Sequence, residues 1–497
     1  MIRRKSLPLQ RQCNFFAMEQ IIGRQKEMAE LWRCYNSARS EFVIVYGRRR
    51  IGKTFLVNRT FGGRMDLYFT GSHKSSEHRQ LELFARLLSD GLGFKPSLAN
   101  WYDAFDALQA MLERQDKKKR KLIFFDEMPW IDTYKSDFVA ALEDFWNMWA
   151  AQRDDICLVA CGSSTSWMVD KLVKNQGGLH NRITSRIYLR PFCLAETEQY
   201  LQAIGCCWDR YTTLQCYMAM GGVPFYLSLI DPTKSLPQNI DSLFFSRDGK
   251  LYGEFDELYD VLFHQADGYK QVARLLSAHR EGLTRQEILN KAGISGGQLT
   301  TMLDNLEQSD FIISYQQFGN KKKGKIYRLS DFYSLFYFRF IENKGTKESH
   351  YWEKAMLTPA VTAWQGLTFE LVCLTHLGQI KQRLGLSVIA TTASSWRSSG
   401  IFQTDNGNEG QRQAQIDLVI ARADRIINIC EIKFSTSEYV ITRDYETRLR
   451  QRMAIFASET KTRHTLVPTF VTTYGLLPGT HSSMVQQQVV MDDLFVQ

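Results

Sequence analysis

Eight consecutive residues, Gly47-Arg48-Arg49-Arg50-Ile51-Gly52-Lys53-Thr54, match GxxxxGK[ST] without a gap. Glycines at both ends let a loop bring its backbone N–H groups close to an anion. The lysine and hydroxyl that follow supply a phosphate cation and a metal ligand. Residues 42–46 before the loop form an apolar run of strand type, and Lys53-Thr54-Phe55-Leu56-Val57 opens a helix. Strand, glycine loop and helix N-terminus together describe a triphosphate site, in which backbone amides cradle the phosphates, Lys53 reaches the β- and γ-phosphates and Thr54 ligates Mg²⁺. ATP and Mg²⁺ are therefore the expected cofactors. Downstream, Lys121-Leu122-Ile123-Phe124-Phe125-Asp126-Glu127 is an apolar strand ending in two carboxylates. Asp126 would hold Mg²⁺ through water, and Glu127 would orient and deprotonate the attacking water. A base beside the metal ligand activates water, so hydrolysis is favoured and a metabolite kinase is the weaker option.

A third strand at 156–160 ends in Cys161-Gly162-Ser163-Ser164-Thr165. With these three motifs the chain resembles the AAA+ ATPases, and Ser163 or Ser164 matches their sensor-1 position. The same serines are also ordinary helix caps. Ile21-Ile22-Gly23-Arg24, followed by Glu27 and Leu31, resembles the segment preceding the loop in that family. Gly221-Gly222-Val223-Pro224 resembles the GxP element of the signalling (STAND) branch, which places Pro224 near the nucleotide base; taken alone, these four residues also spell a turn. Leu179-His180-Asn181-Arg182-Ile183-Thr184-Ser185-Arg186 resembles a stretch that holds an arginine near the γ-phosphate, so Arg182 and Arg186 are candidates, with a solvated face as the plain alternative.

In the middle of the chain, Thr284-Arg285-Gln286-Glu287 is a capping box and Gly293 stops the helix it starts. Ser295 caps a second helix with apolar positions Leu299, Met302, Leu303 and Leu306. Strands at 311–315 and 325–329 then flank a loop. Two helices and a hairpin resemble a winged helix-turn-helix, with Lys321, Lys322, Lys323 and Lys325 on the wing. The exposed side of the second helix offers Gln298, Thr300, Thr301, Asp304 and Asn305, which can bond bases but bring no phosphate cation. DNA contact and a packing module both remain open.

Further on, Asp417 lies in the apolar strand 415–420, and the next strand carries Glu431-Ile432-Lys433. This D…ExK pattern resembles the core of the PD-(D/E)XK nuclease superfamily. Two carboxylates on neighbouring strands can share Mg²⁺, and a lysine two residues on projects to the same face, where it positions water or offsets phosphate charge. The resemblance also implies an acid on an upstream helix, a place Glu370 fits, although a solvated helix position explains Glu370 as well. The order ATPase, winged helix and nuclease-like domain resembles the archaeal-type ATPases.

The elements that must position these residues follow from length and pattern. At 497 residues, 44% apolar and 23% charged, the chain has material for about three globular domains. The expected class is α/β: a P-loop NTPase with a parallel sheet, a winged helix-turn-helix, and an α/β restriction-endonuclease-like C-terminal domain. Expected boundaries are a tail at 1–18, an ATPase domain at 19–235, a linker and helical segment at 236–262, the winged helix at 263–330 and the nuclease-like domain at 331–497. Residues 231–246, with Pro232 and Pro237, read as the linker. The formal charge of +9 is compatible with nucleic acid without requiring it. Ten scattered cysteines without a CxxC pair argue against zinc and disulfides. No window is long and apolar enough for a membrane span, and 6–20 lacks a signal-peptide core, so a cytoplasmic location is expected. Two functions emerge: an ATP-hydrolysing protein controlling a Mg-dependent DNA-cleaving or DNA-binding domain, and a nucleotide-dependent switch or adaptor with an inactive nuclease-like module. A nucleotide-dependent homo-oligomer suits either.

Overall fold

A computed structural model of the chain describes residues 21–116, 118–174, 178–179, 181–263, 265–319, 324–342, 350–398, 402–403, 409–410 and 414–496. The tail at 1–18 and Lys321, Lys322 and Lys323 of the wing lie outside the described residues.

Helix α1 (Gln25–Tyr35) leads into β1 (Glu41–Tyr46), the glycine loop and α2 (Lys53–Phe61). With β2 (Leu67–Thr70), β3 (Lys121–Asp126), β4 (Ile156–Gly162) and β5 (Ser185–Tyr188), β1 forms a five-stranded parallel sheet in the order β2-β3-β4-β1-β5. Every residue of β3 and β4 is buried, as expected for apolar runs covered on both faces. Alternation along β1 sends Phe42 and Ile44 to one face. There they meet Phe84 of α3 (Glu77–Leu92), Leu108 of α4 (Trp101–Glu113) and Leu142 of α5 (Phe138–Met148). Val43 and Val45 point to the other face, against Leu31 of α1 and Leu56 and Val57 of α2. Because β4 lies between β1 and β3, whatever follows β4 falls between the glycine loop and the Asp126-Glu127 pair.

After β5 come α6 (Leu194–Ala203) and α7 (Arg210–Met220). The linker expected at 231–246 is instead part of the core. Ser235 and Gln238 form a capping box that starts α8 (Leu236–Ile240), and a further helical turn, Asp241–Phe245, buries Leu243, Phe244 and Phe245. Pro237 misled the reading: it sits in the first turn, where its missing N–H costs nothing. Helix α9 (Glu254–Leu262) follows.

The middle module comprises α10 (Ala266–Ser277), β6 (Leu283–Thr284), α11 (Arg285–Ala292), α12 (Gly296–Gln308), β7 (Ile312–Gln316) and β8 (Lys325–Leu329). Its strands form an antiparallel sheet in the order β6-β8-β7. The Thr284–Glu287 capping box is present, and Gly293 ends α11 with φ +62°. Gln298, Thr300, Thr301 and Asp304 are exposed on α12. Asn305 is partly buried and donates to the Tyr269 hydroxyl at 2.7 Å, so it belongs to the packing of α10. Lys325 pairs with Glu307 at 2.9 Å.

In the C-terminal part, α13 (Pro359–Thr375) precedes β9 (Thr391–Arg397), β10 (Gln415–Arg422), β11 (Ile426–Lys433), α14 (Arg443–Thr460), β12 (Thr465–Thr472) and β13 (Gln487–Val490). Strands β9, β10 and β11 are antiparallel neighbours, while β12 and β13 extend the sheet in parallel beyond β11. Leu418, Ile420, Cys430 and Ile432 pack with Phe369 and Val372 of α13. Val419, Ile427 and Ile429 pack with Phe456 of α14. The end of β7 attaches this sheet to the middle module: Gln317 bridges Ser395, and the Phe318 N–H donates to the Ser395 carbonyl at 2.8 Å. Among the described residues no helix is long and apolar enough to cross a membrane.

One histidine ties the ends of this architecture together. His376, at the end of α13, is buried; its Nε2 accepts from the Leu194 N–H at 3.0 Å, which leaves the proton on Nδ1, 2.9 Å from the Val372 carbonyl. Burial pulls its pKa down to about 4. The unfolded chain therefore binds a proton at this residue from about pH 6.5 downward, while the folded one resists until about pH 4, so stability is lost as pH falls through that window. His376→Gln keeps an acceptor for Leu194 without titrating. Thermal melts from pH 7 to 4.5 should show a smaller loss of stability in this variant than in the parent protein. Phe244→Ala should cost about 3–5 kcal/mol in chemical denaturation, the figure for emptying a buried aromatic site; a change below about 0.5 kcal/mol would return this segment to the surface.

Candidate functional site

The glycine loop is shaped by contacts from both sides. Gly47 has φ +142°, and a Cβ there would stand 2.3 Å from the Leu189 carbonyl oxygen, so only glycine fits. Lys53 is buried and donates from Nζ to the carbonyls of Gly47 and Arg48 at 3.0 and 2.8 Å. Ile51 is buried behind the loop, and Gly52 takes φ +82° at the start of α2. Arg50 adopts a left-handed backbone, φ +74°. That conformation costs a non-glycine residue about 1–3 kcal/mol and needs support. Two contacts give it: a two-pronged ion pair with Glu254 at 2.9 and 3.1 Å, and stacking on Phe225, whose N–H also donates to the Arg50 carbonyl. Arg48 turns away from the loop, bonding Asp331 at 2.5 Å and covering the Phe311 ring.

Thr54 donates from its hydroxyl to Asp126 Oδ2 at 2.9 Å, joining the loop to the end of β3. Burial first, then the neighbouring Glu127 carboxylate, pushes Asp126 above the usual carboxylate range. A buried acid so placed is short of a positive charge, and with the Thr54 hydroxyl it forms a donor set that fits Mg²⁺. Glu127 is also left-handed, φ +49°, and partly buried. Ser163, at the end of β4, donates to its Oε2 from both the backbone N–H (3.1 Å) and the hydroxyl (2.8 Å). Of the two serine candidates, Ser163 therefore touches the carboxylate, while Ser164 is the residue before a short helix.

Loop and acids open on a cleft of about 630 Å³. Arg49, Arg50, Gly52, Lys53, Thr54 and Glu127 line its polar side. Its apolar wall includes Ile21, Ile22, Phe192, Tyr200, Ile204 and Pro224, a surface suited to a flat base. Pro224 thus lies at the cleft, and Gly222 allows it: a Cβ there would sit 2.2 Å from the Phe192 carbonyl oxygen. Arg182 and Arg186 are exposed and do not line the cleft. Sequence reasoning missed Phe192, Tyr200 and Phe225, plain aromatics in helical or loop segments. It also missed Tyr68, whose hydroxyl is 3.4 Å from Asp126 Oδ2 because β2 pairs with β3.

The C-terminal candidates are less closely gathered. Leu418 pairs with Cys430, which in an undistorted ladder sets Asp417 against Glu431. The two carboxylates nevertheless have separate partners, and on the other side of β10 the β9–β10 pairing slips between Ile416 and Val419. Asp417 accepts from Gln415 Nε2 at 2.8 Å and lines a small polar pocket with Glu370, Arg280, Arg328 and Arg397. Burial, then the charge of Asp417, raises Glu370 to about 7, and Arg328 lies 3.8 Å away. Glu431 is buried, accepts from the Tyr445 hydroxyl at 2.6 Å and pairs with Arg452 of α14. Lys433 Nζ is 3.6 Å from Glu431. Among the described residues no group of three or more acids, histidines or cysteines is poised around one point as a metal site. Glu370, Asp417 and Glu431 thus share a neighbourhood without forming a coordination set.

Replacing Ser163 with Ala removes a donor to Glu127 and leaves the loop intact. ATP hydrolysis should fall about ten- to a hundredfold, the scale for a misplaced reactive group, with nucleotide affinity within about twofold. Parallel steady-state kinetics and equilibrium binding of an ATP analogue would check both halves.

Residues 21–230 match a family described as an ATPase domain predominantly from Archaea. An uncharacterized protein of Methanocaldococcus jannaschii is 25% identical over 358 residues, 71% of this chain and 76% of its own length. Among solved structures, a Walker-type ATPase of Pyrococcus abyssi is similar with a TM-score of 0.47 and 15% identity, covering 65% of this chain and 97% of its own. The Aeropyrum pernix ORC2 protein is similar with a TM-score of 0.39 and 14% identity, covering 72% of this chain and 96% of its own. The glycine loop, Asp126, Glu127, Ser163 and Pro224 all lie within the segment that matches this ATPase-domain family.

Proposed function

We propose that the chain binds Mg-ATP in the cleft beside Lys53 and hydrolyses it. The observation that carries this reading is the linked arrangement Thr54–Asp126 and Glu127–Ser163 around the loop. Thr54 and Asp126 are the residues that would hold Mg²⁺, which would offset phosphate charge there. Glu127 accepts the proton of the attacking water, and Ser163 keeps its carboxylate aimed. The apolar wall with Pro224 receives the base.

The nucleotide state then controls the C-terminal domain, read as Mg-dependent and DNA-cleaving or DNA-binding. Two features support this part: a helix bearing Glu370 stands beside a hairpin bearing Asp417, Glu431 and Lys433, and the middle module has the helices and antiparallel sheet of a winged helix. DNA is the proposed partner, and a nucleotide-dependent homo-oligomer the proposed assembly. A second reading, a switch or adaptor that cuts nothing, is favoured by the pairing of Glu431 with Arg452 and Tyr445.

Both readings are tested on the full chain with Mg²⁺, ATP and supercoiled plasmid. Lys53→Ala should abolish hydrolysis. Glu127→Gln should keep tight ATP binding while hydrolysis drops at least about a hundredfold. Asp417→Ala and Glu431→Ala should end cleavage of plasmid and leave hydrolysis intact. Full hydrolysis by the Lys53 variant defeats the ATPase reading. Absence of cleavage under every nucleotide condition, together with no Mg²⁺ binding that depends on Asp417 or Glu431, leaves the adaptor.

A further inference from the structure

Four cations line the nucleotide cleft: Arg24, Arg49, Arg50 and Lys53. Three of them have partners in this structure. Arg24 donates to the Arg190 carbonyl at 2.6 Å and stacks on Phe192. Arg50 is held by Glu254, and Lys53 by two loop carbonyls. Arg48, beside Arg49 in the chain, is buried against Asp331. Among the described residues the Arg49 side chain, alone of these, has neither a hydrogen-bond nor an ion-pair partner, and it is only partly buried.

Resting on the ATPase reading above, we propose that the Arg49 side chain contacts the terminal phosphate and stabilises the charge that develops there during hydrolysis. The loop's arrangement supports this: Arg49 lies between Gly47 and Gly52 and lines the cleft beside Lys53 and Thr54, while Arg48 is paired with Asp331 and Arg50 with Glu254. A guanidinium offers a planar fork to phosphate oxygens, and pairing with an anion there replaces water instead of breaking an existing ion pair. The chain thereby carries in its own loop the cation for which Arg182 and Arg186, exposed and off the cleft, were candidates.

The inference separates the terminal phosphate from the other two. Calorimetric titration of the full chain with ADP and with the β,γ-imido analogue of ATP, both with Mg²⁺, reads it directly. Arg49→Ala should weaken the analogue about ten- to a hundredfold, the scale of one lost charge-assisted bond, leave ADP within about twofold, and slow hydrolysis at saturating ATP. Arg49→Lys should recover part of the analogue's affinity. Retained ADP binding shows that the variant is folded. Should Arg49→Ala not fold, Arg49→Gln, which keeps the length of the side chain, carries the same expectations. Equal loss of both ligands in the variant that folds, or no loss of the analogue, overturns the inference. If the parent protein binds neither ligand, the underlying ATPase reading fails instead.

Discussion

The ion pair between Arg48 and Asp331 is the constraint on which the rest of the structure depends. Both side chains are almost completely buried, at 2% and 1% exposure, and they join residues far apart in the chain. Taking two charges out of water is expensive, so such a pair adds little net stability over apolar packing, yet removing one partner leaves an uncompensated charge that costs about 3–5 kcal/mol. Asp331 is engaged further, accepting from the Ser334 N–H and hydroxyl at 2.9 and 2.6 Å to start the helical turns that follow. Arg48 covers Phe311, the residue before β7. A single loop residue thus fixes how the ATPase sheet meets both the middle module and the chain that enters the C-terminal part.

The neighbouring contacts repeat this logic on a wider base. Arg50 reaches Glu254 on α9, and Tyr188 at the end of β5 donates to Asp310 at 2.5 Å and to the Gln308 carbonyl at 3.1 Å. Each runs from the nucleotide side of the sheet to a segment beyond the ATPase domain. The glycine loop is therefore held from outside its own sheet, through Arg50 to Glu254 and Arg48 to Asp331.

How much of this was legible in the sequence depends on the range of the interaction. The placing of Gly47, Lys53 and Thr54 in a strand–loop–helix turn was readable because those elements are contiguous, and that of Asp126 and Glu127 because they end an apolar strand. The capping box at Thr284 and Glu287 was readable for the same reason. Phe244 was not: its burial depends on Tyr333 and Phe336, nearly a hundred residues on, and Pro232 and Pro237 give a local signal that contradicts it. Arg48 and Arg50 read only as residues of the phosphate loop, since nothing local marks Asp331 or Glu254 as their partners. Ser163 could be told from Ser164 only once β4 was seen to lie between β1 and β3.

The C-terminal acids show the opposite case, a motif readable in sequence whose geometry carries more than the motif says. Alternation predicts that Glu431 and Lys433 share a face of β11, and they do, at 3.6 Å. What spacing cannot supply is the setting. Gln415 donates to Asp417, α14 brings Arg452 and Tyr445 to the Glu431 carboxylate, and the middle module brings Arg328 to Glu370. A carboxylate already satisfied by a guanidinium gains little from a cation, so metal binding at Glu431 must displace Arg452. Arg328 belongs to β8, and the end of β7 pairs with Ser395 of β9, so the elements that hold these acids in cation-paired form are anchored to the module that Arg48 and Tyr188 clamp. The acid site and the glycine loop are therefore both anchored to the same middle module, one through Arg328 and Ser395, the other through Arg48.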